Sequence, residues 1–306
     1  MSNREELWPA LSWQDWRGSA ITVHLFTQII GKIRLALMPM QAEWAQVPLI
    51  VTSRGLATNS MPADFGSIDI SFDFISHSIN FHSSNGRTIS FPLKNLSVAD
   101  FYAETFNVLN DLNVKVKINP MSVEVPKPQR MDLDKEDNSY EGDKVNRWWR
   151  LLVSITSVFE EYRSGYWGKQ SQVSFFWGTF DLAVIRFSGK PVDPPPGVDI
   201  IHRVAMDAQQ TATGFWPGDD TSPEPVFFAY TYPKPDGVEN VKLNVKDAAW
   251  NNVKGEFLLP YESIKKETDP GNVLLAFCNE SYKAGAELAK WDIETLNRKP
   301  TASGNK

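Results

Sequence analysis

From Ile68 to Phe74 the chain alternates strictly, with Ile68, Ile70, Phe72 and Phe74 separated by Asp69, Ser71 and Asp73. A period of two marks a strand with one buried face. A two-residue turn at Ser76-His77 would pair Phe74 with Ile79 and Phe72 with Phe81, keeping all four on one face. At the next turn, a two-residue Asn85-Gly86 loop would set His82 against Ile89 and mix the faces. A three-residue loop with Gly86 left-handed restores the alternation. Residues 20–38 change period: Val23, Phe26, Ile30, Ile33 and Leu37 fall on one helical face, while His24, Gln28 and Lys32 form a polar line on the other. The pattern goes on to predict a strand at 48–55, a meander over 67–93 and a helix from Ser97, with Ser97 and Asp100 as a capping box. A helix at 144–165 follows, then strands at 180–189, 227–232 and 255–261. Asp269 and Pro270 read as the N-cap and first residue of a last helix.

Antiparallel strand runs flanked by helices in this order indicate an α+β fold. The order helix, strand, meander, helix occurs twice, and Trp44 precedes PLIVTSRG much as Trp177 precedes FDLAVIRFSG. The chain therefore reads as two tandem, similar units of mainly antiparallel sheet, from an internal duplication. The first covers 1–126 and the second 144–306. Between them, 127–143 is proline- and charge-rich with few large apolar residues, the composition of a charged linker.

Composition narrows the function classes. The net charge is −6 with no cationic stripe, which argues against nucleic acid as a partner. One cysteine, Cys278, leaves neither an intrachain disulfide nor a thiolate metal cage to expect. The longest apolar stretch, 20–38, is interrupted by His24, Gln28, Lys32 and Arg34, so no membrane span is expected. The N-terminus lacks an apolar signal-peptide core, and the expected location is the cytoplasm. Dinucleotide-binding, P-loop, nucleophile-elbow and zincin motifs do not occur. Four histidines spread over separate elements predict no bound metal, and no cofactor is expected. His77 and His82 read as solvated surface residues.

Candidate chemistry is left to a few side chains. Gly31 beside the His24–Gln28–Lys32 line allows another group to approach α-helical backbone closely. Asp181 opens an apolar strand and, if buried, needs a donor such as Trp177 N–H, a backbone amide or Lys32. Arg186, five residues on, faces the opposite side of a regular strand. Trp216 lies in another tryptophan-containing block.

Those blocks carry a resemblance. At HLFTQIIGKIRLAL (24–37), FFWGTFDLAVIRFSGK (175–190), GFWPG (214–218) and GEFLLPY (255–261) the chain resembles a bacterial family catalogued as domain of unknown function 5996. The resemblance runs from Trp8 to Trp291 and implies no established activity. It implies a histidine before the Phe-Phe-Trp-Gly block and His-Glu before Gly-Phe-Trp-Pro-Gly. Here Ser174 and Ala208-Gln209 stand at those positions, and they cannot take over metal binding or proton transfer.

The expected function is binding of a small molecule in a cleft between the two halves, with His24, Gln28, Lys32, Asp181, Arg186 and Trp216 as its walls. The alternatives are an enzyme using His24 and Asp181 as an acid–base pair, and a protein-interaction module with exposed aromatics.

Overall fold

The alternating segment becomes the middle of an antiparallel sheet in the computed structural model, which describes residues 7–194 and 196–299. This sheet contains β1 (Ile50–Val51), β2 (Gly55–Ala57), β3 (Met61–Ala63), β4 (Gly66–Asp73), β5 (Ser78–Ser83) and β6 (Thr88–Pro92). Its order is β1-β2-β4-β5-β6, with β3 paired to β4. The second sheet contains β7 (Ser174–Phe176), β8 (Asp181–Pro191), β9 (Ala208–Trp216), β10 (Val226–Tyr232), β11 (Ala249–Asn251) and β12 (Glu256–Pro260). Its order is β11-β12-β10-β9-β8-β7. The helices are α1 (Trp13–Leu37), α2 (Val98–Asp111), α3 (Gly142–Ser164), α4 (Ile200–Ala205), α5 (Tyr261–Lys265), α6 (Pro270–Leu288) and α7 (Ile293–Leu296). The fold is α+β. The sheets differ in detail, since β3 lies off the path of the first and β11 and β12 exchange order in the second. The duplication therefore stands as a proposal.

Two compact units make up the chain. The first holds residues up to Val153 together with Ser174–Leu182 and Pro217–Glu224. The second holds Ser154–Val173, Ala183–Trp216 and the chain from Pro225 onward.

In the first unit, α1 is enclosed on almost every side, and its polar His24–Gln28–Lys32 line is covered with the rest. Gln28 has no exposed surface and Lys32 is 9% exposed. The helix has the length and hydropathy of a membrane span, yet 67% of its most apolar window is buried. Phe26 stacks on Phe101 of α2 at 4.0 Å between ring centroids, and Phe101 stacks in turn on Phe72 of β4. Trp16 lies against both Trp148 and Phe180, which stack on each other. Such aromatic contacts add to the energy of area burial.

The β4–β5 register differs from the two-residue turn. Phe72 pairs with Ile79 and Ile70 with Phe81, two residues away from the expected partners. The cause is Asp73, whose Oδ1 accepts from the backbone N–H of Ile75 and of Ser76, closing a longer loop. A shift of two preserves the buried face, so Ile70, Phe72, Phe74, Ile79 and Phe81 are all buried. His77 at this turn is half-buried rather than solvated, with Nδ1 3.1 Å from the Tyr140 hydroxyl. The β5–β6 turn is the three-residue loop, with Gly86 at φ +88° and Phe81 opposite Ile89. Ser97 and Asp100 form the capping box, and Asp269 caps α6 through the N–H of Asn272.

Residues 127–143 are pinned to the first unit. Met131 and Tyr140 are buried. The Ser139 N–H donates to Thr22 Oγ1 and the Glu141 N–H to Ser19 Oγ, both acceptors on α1.

Candidate functional site

In the first unit His24, Gly31 and Asp181 meet the loop after β7. Gly31 of α1 lies under the Trp177 indole so closely that a methyl group there would overlap the ring. The close approach that Gly31 permits is therefore that of a side chain. Trp177 Nε1 donates to the Val47 carbonyl at 3.0 Å, which fixes the ring in place.

His24 Nε2 lies 2.9 Å from the Gly178 carbonyl and 3.1 Å from Gln28 Nε2. A carbonyl accepts only, so we assign the proton to Nε2. The ring also stacks on Phe180 at 4.7 Å. Burial pulls its pKa down to about 4, against the raising effect of the Gly178 and Trp177 carbonyls. At neutral pH it is an uncharged imidazole.

Gln28 clamps a backbone segment. Its Nε2 donates to the Val123 carbonyl at 2.7 Å and its Oε1 accepts from the Val123 N–H at 2.9 Å. The next residue, Glu124, takes a left-handed conformation with φ +54°, and its carboxylate rests against Gly178, where a side chain would collide with it. Lys32 has no hydrogen-bond or ion-pair partner among the described residues, and burial lowers its pKa. Asp181 is 8% exposed and accepts a hydrogen bond from the Thr179 hydroxyl, so Thr179 is a donor that the sequence reading did not name.

In the second unit Arg186 is the unusual residue. It is 2% exposed. Its guanidinium carbon lies 3.4 Å from the ring centroid of Tyr162, 4.5 Å from that of Tyr282 and 5.0 Å from that of Tyr166. Nη2 donates to the Tyr162 carbonyl, and Nε has no acceptor among the described residues. The Tyr166 hydroxyl donates to the Phe187 carbonyl, which fixes one wall of the cage. Burial pushes the phenols of Tyr162, Tyr166 and Tyr282 and the thiol of Cys278 upward, so all four stay neutral.

The same unit holds a cavity of about 480 Å³. Gln209, Tyr232, Lys234, Lys290, Leu288 and Ala289 are among its walls. Gln209 Oε1 accepts from the Ser188 hydroxyl at 2.9 Å, and Ser188 lies two residues from Arg186 on the same face of β8. Trp216 is set apart from these groups. Its position in β9 alternates to the face opposite Thr211 and Thr213, and Lys254 Nζ sits 4.6 Å from its ring.

The sequence reading named Arg186 but missed its cage. Tyr162 lies in the last turn of α3 and Tyr166 just beyond its end, so the two are close in sequence, but nothing local brings Tyr282 to them. Among the described residues no three His, Cys, Asp or Glu side chains converge as metal ligands.

Residues 8–298 match the Family of unknown function (DUF5996). The chain belongs to that family. No curated protein and no solved structure matches it. For this DUF5996 member the chemistry therefore has to be argued from its own side chains.

Proposed function

We propose that this DUF5996 protein binds a small molecule, and that the cavity of the second unit receives it. The observation that carries the reading is the composition of that cavity. Its volume of about 480 Å³ suits a metabolite-sized ligand. Leu288, Pro233 and Pro235 offer apolar surface, while Gln209, Tyr232, Lys234, Lys290 and the carboxylate of Asp236 offer polar groups to orient a ligand. Gln209 spends its carbonyl on Ser188, which leaves its amide N–H groups to donate. Lys234 is already paired with Glu239 and lies over the Trp250 ring, so Lys290 is the more available cation.

The test is native mass spectrometry of the purified protein beside Ala289→Trp, a change that fills the cavity from a half-buried wall position. We expect a co-purified small molecule in the parent and its loss in the variant, with unchanged circular dichroism. If neither protein carries a small molecule and no compound in a metabolite library raises the melting temperature, the proposal fails.

A further inference from the structure

We infer that the molecule bound by the second unit carries an acidic group, a carboxylate or a phosphate, and that Arg186 receives it. This rests on the small-molecule reading above. A guanidinium stays protonated in proteins, and a buried charge is ordinarily paired with an opposite one. Arg186 is 2% exposed and makes no ion pair among the described residues. The groups that act on it electrostatically are Tyr162, Tyr166, Tyr282 and Cys278, all neutral at physiological pH. Three ring faces and one backbone carbonyl partly offset the charge. They leave the Nε–H without an acceptor.

Gln170, bridged to Arg186, has an unpartnered side-chain carbonyl, but an amide oxygen carries no charge to balance the guanidinium. A second unpaired donor points the same way as Arg186. Thr211 of β9 is buried, and its hydroxyl has no partner. On a strand, residues 209, 211 and 213 share a face. Gln209 lines the cavity and is bonded to Ser188, and Thr213 lies beside Tyr162 of the cage. Thr211 lies between them. Gln209 lines the cavity, while Thr211 and Arg186 lie buried behind its wall, and the three together offer donors: an amide N–H, a hydroxyl and a guanidinium Nε–H. Such a set suits an anion, which accepts from all three. The helix side fits this course. Tyr282 of α6 is in the cage, and Ala289, which caps the C-terminus of the same helix seven residues on, is at the cavity.

The experiment is calorimetric titration of the full chain with three probes: succinate, inorganic phosphate and uncharged succinamide. We expect one of the two acids to bind and succinamide not to, the responding acid telling a carboxylate site from a phosphate site. Arg186→Lys keeps the charge but loses the planar fork, and it should weaken acid binding by about tenfold or more. Arg186→Met should abolish it, and Thr211→Val should weaken it by a smaller factor. Thr211→Val also keeps the test open if both arginine variants fail to fold. The inference is overturned if neither acid binds, if succinamide binds as well as the acids, or if acid binding survives in the folded variants. A neutral compound recovered by native mass spectrometry and displaced by Ala289→Trp would leave the cavity reading standing and end this one.

Discussion

His24 shows how one side chain can look functional in sequence and act through its protonation state in the fold. In the unfolded chain it titrates near 6.5, whereas in the native state burial holds it at about 4. Between those values the unfolded state binds more protons, so stability rises with pH across that window and is lost as pH falls from about 6.5 toward 4. The shift is on the order of 1–3 kcal/mol, reduced because part of the ring stays accessible. Urea unfolding at pH 7 and pH 4.5 should show this loss in the parent and a flatter profile in His24→Gln. Asp181 is tested differently. Asn at this position keeps an acceptor for the Thr179 hydroxyl, while Leu leaves that donor unpaired. We expect Asp181→Asn to be near neutral and Asp181→Leu to cost roughly 1–3 kcal/mol in thermal unfolding. If Asp181→Leu is as stable as the parent yet loses a bound ligand, Asp181 belongs to a binding site. Burial of Asp181 was legible because an apolar run follows it. Its partner was not, since Thr179 precedes it by two residues in an irregular turn.

Elements were legible where local chemistry sets them. Ser97 with Asp100, Asp269 with Pro270 and Gly86 each act within a few residues, and each appears as expected. The β4–β5 register was misread because Asp73 side-chain bonds compete with the shortest turn, a choice that alternation cannot settle when the shift is two. The surroundings of α1 were hidden for another reason. Its His24–Gln28–Lys32 line has the spacing of a solvated face, and only distant segments, such as Val123 and Trp177, cover it. Gly31 makes that covering measurable. In an open helix Gly31→Ala should gain about 1 kcal/mol of helix propensity. Here the added methyl meets the Trp177 ring, held by its bond to Val47, and overpacking typically costs about 1–3 kcal/mol. The clash should win. We expect a lower denaturation midpoint for Gly31→Ala and its recovery in Gly31→Ala with Trp177→Leu. A stabilised single variant would show that the indole can move aside.

For the molecule as a whole, the first unit draws on distant parts of the sequence, and their contributions differ in kind. Pro217–Glu224 contributes Asp220, which accepts from Arg17 at 2.5 and 2.7 Å and from Trp13 Nε1 at 2.9 Å. Hydrogen bonds from Arg17 and Trp13 hold its carboxylate at about 2. The folded pKa is depressed, so this stability is present above about 4 and lost as pH falls toward 2. Both partners are half exposed, and Asp220→Asn should cost no more than about 1 kcal/mol. Ser174–Leu182 contributes apolar groups instead. Phe175 packs on Trp148 and its backbone pairs with Leu49, Trp177 covers Gly31, and Phe180 stacks on Trp16 and Trp148. Removing one large buried aromatic costs about 3–5 kcal/mol, and a domain has only about 5–15 in total. A fragment of residues 1–126 lacks Trp148, Phe175, Trp177 and Phe180 together, so we expect it not to fold, even though its first sheet and α1 are intact in sequence. Near-ultraviolet circular dichroism of the fragment should be featureless and its urea titration should lack a cooperative transition. A sharp transition would mean that 1–126 forms its own core and that the aromatic segment from 174 to 182 only covers a unit already folded.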